Sequence, residues 1–127
     1  MAQTVLLHHH HPTQPDHYDW LIDQPQWTDE HRLITFRTHL RPDRHHEFIA
    51  QKAPLHRAIY LTYQGPLSEN RGTVTSVATG IVRDLRVTPE HLTCRLSWGA
   101  ADLLCTATPQ PAKPDHWRFL LTPHNQP

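Results

Sequence analysis

Apolar and polar residues alternate along short stretches of this chain, a period of two that is typical of half-buried β-strands. Residues 31–38 alternate in this way, and residues 56–63 are rich in aromatic and branched side chains. No stretch carries a sustained helical period. The pattern predicts strands over residues 3–8, 17–23, 31–38, 56–63, 73–78, 80–87, 91–98, 101–107 and 116–122.

Turn-forming residues separate these predicted strands. In the second half, turn signals fall near Gly80, Pro89, Gly99 and Pro109–Pro114, so that strands recur at intervals of about 8–12 residues. Such spacing is typical of all-β sandwiches and barrels, and we predict a small, mostly antiparallel β-barrel. Residues 43–53, which lie between two prolines, could hold one short helix. We expect one domain over residues 1–122 and a flexible tail over residues 123–127.

Composition narrows the classes of function. The formal net charge is zero, so no global basic field attracts nucleic acid and any such contact is expected to be local. No apolar run approaches the roughly 20 residues of a membrane span, and the first residues lack the basic segment of a secretory signal. We therefore expect a cytoplasmic monomer with no membrane partner.

The two cysteines are too few for a disulfide scaffold. If Gly99 and Ala100 form a two-residue hairpin turn, Cys94 and Cys105 lie directly opposite each other. A cross-strand disulfide is then conceivable, but reduced thiols are expected in a cytosol.

The 13 histidines raise the hypothesis of a metal site, because neutral imidazole is a common metal ligand. The strongest local feature is His11-Pro-Thr-Gln-Pro-Asp-His17-Tyr-Asp19. In a strand, His17 and Asp19 share one face, and His11 can fold back to supply a third ligand. Two histidines and a carboxylate leave coordination positions open and suit Mn²⁺, Zn²⁺ or Fe²⁺.

Two questions about this feature stay open at the level of sequence. The four consecutive histidines leave the register uncertain, so that His9 or His10 could be the ligand in place of His11. The alternative is a solvated polar run with no metal. If the site exists, we expect its three side chains to converge inside the barrel.

A second feature lies in His56-Arg-Ala-Ile-Tyr60. Strand alternation would put His56 and Tyr60 on one face, where the imidazole could act as a general acid or base and the phenol as a hydrogen-bond donor. The alternative is an ordinary core tyrosine and a surface histidine.

Taken together, these blocks resemble the phosphoesterase module of bacterial DNA ligase D. That family has His-x5-His-Tyr-Asp-x-Arg-x-Glu, then His-Pro-Leu-x-Tyr-x-x-Phe-Glu-Gly, then Gly-Thr-Val. Here the corresponding blocks are His11-x5-His17-Tyr-Asp19, residues 56–65 (His-Arg-Ala-Ile-Tyr-Leu-Thr-Tyr-Gln-Gly), and Gly72-Thr-Val. The likeness spans residues 4–122 and looks closest to stand-alone "DNA polymerase ligase N-terminal domain" proteins.

The resemblance implies a compact β-barrel with a Mn²⁺-dependent activity that heals nucleic-acid 3′ ends. It would remove a 3′ phosphate or a 3′ ribonucleotide from DNA, and a DNA repair ligase or polymerase would be a partner. By carry-over, His11, His17 and Asp19 would bind the metal. His56 would act on the scissile phosphate, and Tyr60 would contact the phosphate or the metal.

The chain departs from the family pattern at its cationic and acidic positions. Leu21 stands where the family has arginine, Asp23 where it has glutamate, and Pro54 where it has an acidic residue. The family's lysine has no clear counterpart. These losses matter because phosphoryl transfer depends on positioning and charge neutralisation. The candidate substitutes for these cations are Arg37, Arg44 and Arg57.

Three hypotheses follow. The first is a metal-dependent phosphoesterase. The second is a catalytically impaired module of the same fold that binds a metal or a DNA end. The third is a cupin-like metalloenzyme acting on a small molecule, because His-x-Asp on a strand also occurs there.

Overall fold

The chain folds into β-strands joined by turns and two short 3₁₀ helices. A computed structural model of the protein describes residues 1–124. The 3₁₀ helices span Pro42–Arg44 and Ala58–Leu61. The strands are β1 (Ala2–His10), β2 (His17–Ile22), β3 (His31–Thr38), β4 (Glu47–Arg57), β5 (Gly65–Pro66), β6 (Thr73–Thr88), β7 (His91–Trp98), β8 (Ala101–Gln110) and β9 (Lys113–Pro123).

Eight of these strands close into an antiparallel barrel. Their order around the ring is β1-β2-β3-β4-β9-β8-β7-β6, and β6 pairs with β1 to complete it. Closure pairs each of the eight strands on both sides and so removes exposed sheet edges. The two-residue β5 also pairs with β6. The prediction of an all-β barrel is confirmed.

Alternate residues of all eight barrel strands fill the interior. At its centre, the ring of Phe119 lies 4.7 Å from that of Phe36, 5.1 Å from that of Phe48 and 5.3 Å from that of Trp20. The indole Nε1 of Trp20 donates to the Thr4 hydroxyl at 2.7 Å. This buried donor is therefore paired, whereas Nε1 of Trp98, whose ring lies 5.9 Å from that of Trp20, has no hydrogen-bond partner among the described residues.

A second apolar layer covers the outer face of β1, β2, β3 and the first residues of β6. The outer apolar cluster consists of Val5, Leu7, Leu21, Leu33 and Val74. On each strand these residues alternate with interior ones, so they point away from the barrel core. The covering segment, residues 58–67, lies over this cluster through four side chains: Tyr60, Leu61, Tyr63 and Leu67.

Several predicted elements differ from the structure. The helix expected within residues 43–53 is a single 3₁₀ turn at Pro42–Arg44, and most of that segment belongs to β4. The strand predicted over residues 56–63 ends at Arg57. The aromatic and branched residues that follow pack onto the outer apolar cluster, because tertiary packing overrides strand propensity.

Gly80 does not end a strand, because β6 runs without interruption through it. A Cβ at this position would lie 2.3 Å from the carbonyl oxygen of Ser97. The glycine therefore permits a close approach between β6 and β7. Besides marking a turn, a glycine in a strand commonly marks such a close approach of two backbones.

The hairpin prediction for β7 and β8 is confirmed. Residues 99 and 100 form the turn, and Cys94 pairs directly with Cys105. Both are buried free thiols.

At the C-terminal end of the described chain, Pro123 is the last residue of β9, and the amide of His124 donates to the Asp102 carbonyl at 2.9 Å. The rest of the predicted tail, residues 125–127, lies outside the described residues. Within residues 1–124, no helix has the length and apolar character needed to cross a bilayer.

Replacing Phe119 by alanine is expected to lower the free energy of unfolding by about 3–5 kcal/mol, because it removes a fully buried ring that contacts three others. Urea denaturation measures the change. The neighbouring Leu120→Ala is the matched control, since this side chain is 44 % exposed and should cost under about 1 kcal/mol. Equal losses in the two variants would contradict the assignment of interior and exterior faces.

Candidate metal centre

Three side chains that can bind a metal come from the adjacent strands β1 and β2. His17 and Asp19 share one face of β2, as alternation predicts, whereas Trp20 points into the barrel core. His9 lies directly opposite His17 in the β1–β2 register. Residues paired across antiparallel strands share a face, so His9 joins the same group.

The ligand atoms of this group lie at distances suited to a single ion. His9 Nδ1 is 3.0 Å from His17 Nε2 and 3.8 Å from Asp19 Oδ2. His17 Nε2 is 3.4 Å from the same oxygen. Ligands on a tetrahedral ion with bonds of 2.0–2.1 Å are separated by roughly 3.3 Å. The His9–His17–Asp19 group could therefore hold a divalent metal ion.

Groups outside this cluster orient two of its ligands. His9 Nε2 lies 2.6 Å from the backbone carbonyl of Arg71. A carbonyl only accepts, so Nε2 carries a proton, and in the neutral ring the lone pair is on Nδ1, which faces the group. Arg37 Nε donates to Asp19 Oδ1 at 3.0 Å, which leaves Oδ2 for a metal. Ligands of bound metals are commonly supported in this way.

Asp19 is ionised in this environment. Burial acts to raise its pKa, but the adjacent imidazoles of His17 and His9 and the charge of Arg37 hold that pKa well below its ordinary range. The adjacent carboxylate of Asp19 raises the pKa of His9, although burial opposes the shift. Asp19 thus supplies a negative charge to the group, and a metal ion would compete with a proton for the nitrogen of His9.

The group opens into a cavity of about 250 Å³. The structure brings all five residues singled out in the sequence into the lining of this one cavity: His11, His17, Asp19, His56 and Tyr60. His9, Arg37 and Arg71 line it as well. The expectation that the ligands converge inside the barrel is wrong. The cavity lies between the outer face of the barrel wall and the covering segment. The interior is packed with apolar side chains, and an ionic cluster there would be costly.

His11 lines the cavity but stands outside the ligand group, where His9 takes the place predicted for it. Its Nδ1 accepts hydrogen bonds from the amides of Thr13 and Gln14 at 3.1 and 3.2 Å. An amide only donates, so Nδ1 has no proton and neutral His11 carries its proton on Nε2. His10 points away from this group and contacts Asp16 at 2.9 Å.

A β-bulge at Pro54 brings His56 to the outer face. Thr35 pairs with Ala53, and Leu33 pairs with His56. Between these two pairs β4 therefore advances by three residues while β3 advances by two. Even-numbered residues before the bulge, such as Ala50, point into the core, and without the extra residue His56 would do the same. Proline has no amide hydrogen and is tolerated at bulges.

Tyr60 reaches the cavity from a 3₁₀ helix rather than from the predicted strand. Its ring lies 6.0 Å from that of His56. The reasoning that placed the two on one strand face is therefore wrong at Tyr60, although both residues line the same cavity.

Two arginines, Arg37 and Arg71, line the cavity. Leu21, where the sequence blocks of the resembled family would have an arginine, is buried in the outer apolar cluster. Arg37 lies opposite Asp19 in the β2–β3 register, so a correct register could have singled it out from the three arginines considered. Arg71 is fixed by hydrogen bonds to the carbonyl and hydroxyl of Ser68, both at 2.9 Å. The sequence carried no separate signal for Arg71 beyond its place before Gly72.

Gly72 lets the chain pass directly against the end of β1. Its φ is +93°, and a Cβ there would lie 1.8 Å from the carbonyl oxygen of His10. This close approach carries the carbonyl of Arg71 to His9.

The chain matches no protein-family model and no curated protein. Its function must therefore be inferred from the residues of this cavity.

We expect the wild-type protein to bind one divalent ion per chain and His9→Ala or His17→Ala to abolish that binding. Equilibrium dialysis with Mn²⁺, Zn²⁺ or Co²⁺ measures the stoichiometry. An ion present at 100 times its dissociation constant should also stabilise the wild type by about 2.7 kcal/mol, which thermal unfolding reports.

His10→Ala is the matched control for this experiment. The side chain is adjacent in sequence, 63 % exposed and paired with Asp16, so the variant should bind one ion as tightly as wild type. Loss of the ion in His11→Ala together with its retention in His9→Ala would contradict the ligand assignment.

Gly72→Ala is expected to weaken metal affinity about 10-fold or more, because a methyl group there displaces the chain that supports His9. Dialysis and urea denaturation measure affinity and stability together. Gly99→Ala is the control: its φ is also positive, +51°, but a Cβ there meets nothing within 4 Å. It should lose some stability and keep wild-type affinity. Equal affinities in both variants would show that the close approach does not support the site.

Proposed function

We propose that this protein is a metal-dependent phosphoesterase that acts on nucleic-acid 3′ ends. One observation carries the proposal: a group able to hold a divalent ion shares a single cavity with His56, Tyr60 and two arginines. The order and spacing of the sequence blocks shared with the ligase D phosphoesterase module support it. Mn²⁺ is the ion we propose, by the same resemblance.

The cavity has the charge that a phosphate requires. Arg37 and Arg71 bring two guanidinium groups, whose planar donors suit phosphate oxygens. Asp19 offsets one of these charges, and a divalent ion would make the cavity strongly cationic. Because the chain as a whole has no net charge, this local field favours a strand end over the body of a duplex.

Seven residues of the cavity have roles in this proposal. His9, His17 and Asp19 would hold the ion, which would act as a Lewis acid on a phosphoryl oxygen. Arg37 and Arg71 neutralise charge on the phosphate. His56 exchanges a proton with the reacting water or the leaving oxygen, and the Tyr60 hydroxyl donates to the phosphate.

The reaction with a 3′-phosphorylated end is a hydrolysis. The oxygen of water forms a bond to phosphorus while the bond from phosphorus to the 3′ oxygen breaks. The leaving oxygen takes up a proton, which yields inorganic phosphate and a 3′ hydroxyl. That product is the end that a DNA repair ligase or polymerase would use.

The wild-type protein is expected to release phosphate from a 3′-phosphorylated DNA primer when Mn²⁺ is added. His17→Ala and His56→Ala should each lower the rate about 10²-fold or more, because one removes a metal ligand and the other the proton-exchanging group. A phosphate-release assay with gel analysis of the primer measures this. His91→Ala, an exposed residue at the start of β7 that does not line the cavity, should retain wild-type activity. Activity that survives in His17→Ala and His56→Ala would refute the assigned roles.

A second candidate function is an end-binding module that does not turn over. It is favoured by the pairing of both cavity arginines with other groups of the protein, Arg37 with Asp19 and Arg71 with Ser68. Salt-sensitive, Mn²⁺-dependent binding of a 3′-phosphorylated primer without phosphate release would select this function. Absence of both binding and release would overturn the proposal as a whole.

A further inference from the structure

The imidazole of His56 is held from one side by two oxygen atoms. Its Nδ1 lies 3.0 Å from the backbone carbonyl of Pro54 and 3.0 Å from the hydroxyl oxygen of Thr35. Both contacts involve the same ring nitrogen. Among residues 1–124, Nε2 of this ring forms no hydrogen bond.

The direction of these hydrogen bonds follows from what each oxygen can do. The Pro54 carbonyl can only accept. The Thr35 hydroxyl donates its own proton to the carbonyl of Leu33 at 3.1 Å, so toward His56 it acts as an acceptor. Two acceptors facing one nitrogen require that Nδ1 carry the proton. In the neutral ring, the lone pair is then on Nε2.

We propose that Thr35 is a positioning residue that fixes His56 as the Nδ1–H tautomer and directs the Nε2 lone pair toward the cavity. Its catalytic consequence rests on the proposed function, whereas the tautomer itself does not. The ring nitrogens lie on opposite sides of the imidazole, and Nδ1 is held against β3 and β4. Nε2 is therefore the nitrogen that can take a proton from a reacting water.

Thr35 is suited to this role by its burial and its side chain. It is fully buried, with 0 % exposure, so its hydroxyl has no water to compete for the hydrogen bond. Its branched Cβ restricts rotation of the side chain. Its place opposite Ala53, one step before the bulge at Pro54, sets the oxygen beside the displaced His56.

The two oxygen atoms that hold Nδ1, from the Pro54 carbonyl and the Thr35 hydroxyl, are both neutral. They therefore orient the imidazole without adding negative charge beside a phosphate.

The test reads the tautomer directly by ¹⁵N NMR of histidine-labelled protein, with the His56 signals identified by their loss in His56→Gln. In the wild-type protein the proton is expected on Nδ1. Thr35→Val has nearly the same shape but lacks the hydroxyl, and the ratio of Nε2–H to Nδ1–H tautomers should rise about fivefold, as expected for loss of one hydrogen bond. Thr35→Ser retains an oxygen and should restore the wild-type ratio.

Catalysis gives a second readout that a purely structural role would not move. In Thr35→Val, kcat for phosphate release should fall in proportion to the lost Nδ1–H population while KM stays unchanged, and Thr35→Ser should recover kcat. If Thr35→Val does not fold, Thr35→Ala removes the same hydroxyl and carries the same comparison.

A wild-type His56 protonated on Nε2, or a tautomer ratio that Thr35→Val leaves unchanged, would overturn the proposal. The NMR measurement needs neither metal nor substrate. A correct tautomer without any phosphate release would therefore refute the proposed function alone, and release with the wrong tautomer would refute the role of Thr35 alone.

Discussion

Strands β1, β2 and β3 are buried on both faces, and the candidate site depends on this double burial. One face packs into the aromatic barrel interior, and the other packs against the covering segment through the outer apolar cluster. Polar residues continue along the outer face beyond that cluster. His17 and Asp19 are therefore shielded from solvent without lying in the barrel core, where a charged group could be satisfied only at high cost.

Backbone groups determine which ring nitrogen carries the proton in three of the histidines that line the cavity: His9, His11 and His56. The carbonyl of Arg71 holds a proton on Nε2 of His9 and frees its Nδ1 for a metal. Two amides occupy Nδ1 of His11. The carbonyl of Pro54 holds a proton on Nδ1 of His56. In the neutral rings, His9 therefore has its lone pair on Nδ1, His11 has its N–H on Nε2, and His56 has its lone pair on Nε2. The three side chains are chemically identical and differ because a different backbone group contacts each ring.

Double burial also accounts for the position of the cations. At residue 21 the outer face is covered, and a leucine there completes the apolar cluster. An arginine at that position would have to displace the covering segment. Arg37 on the neighbouring strand is partly exposed and faces Asp19 across the β2–β3 register. Positive charge is thus supplied at the rim of the cavity, where its guanidinium remains partly solvated.

The sequence by itself determined the features that depend on neighbouring residues along the chain. Alternation predicts the strands and the shared face of His17 and Asp19, since successive side chains of a strand point to opposite sides. The Gly99–Ala100 turn predicts the pairing of Cys94 with Cys105 for the same local reason.

Only the tertiary structure decided the features that depend on register and on which face is covered. The run Val5-Leu6-Leu7 is apolar on both faces, so its pattern does not say which side is the core. The choice of His9 over His11 depends on the pairing of β1 with β2. The face of His56 depends on one extra residue at Pro54, because each insertion in a strand reverses every side chain beyond it. Alternation along one strand contains no information about such long-range pairing.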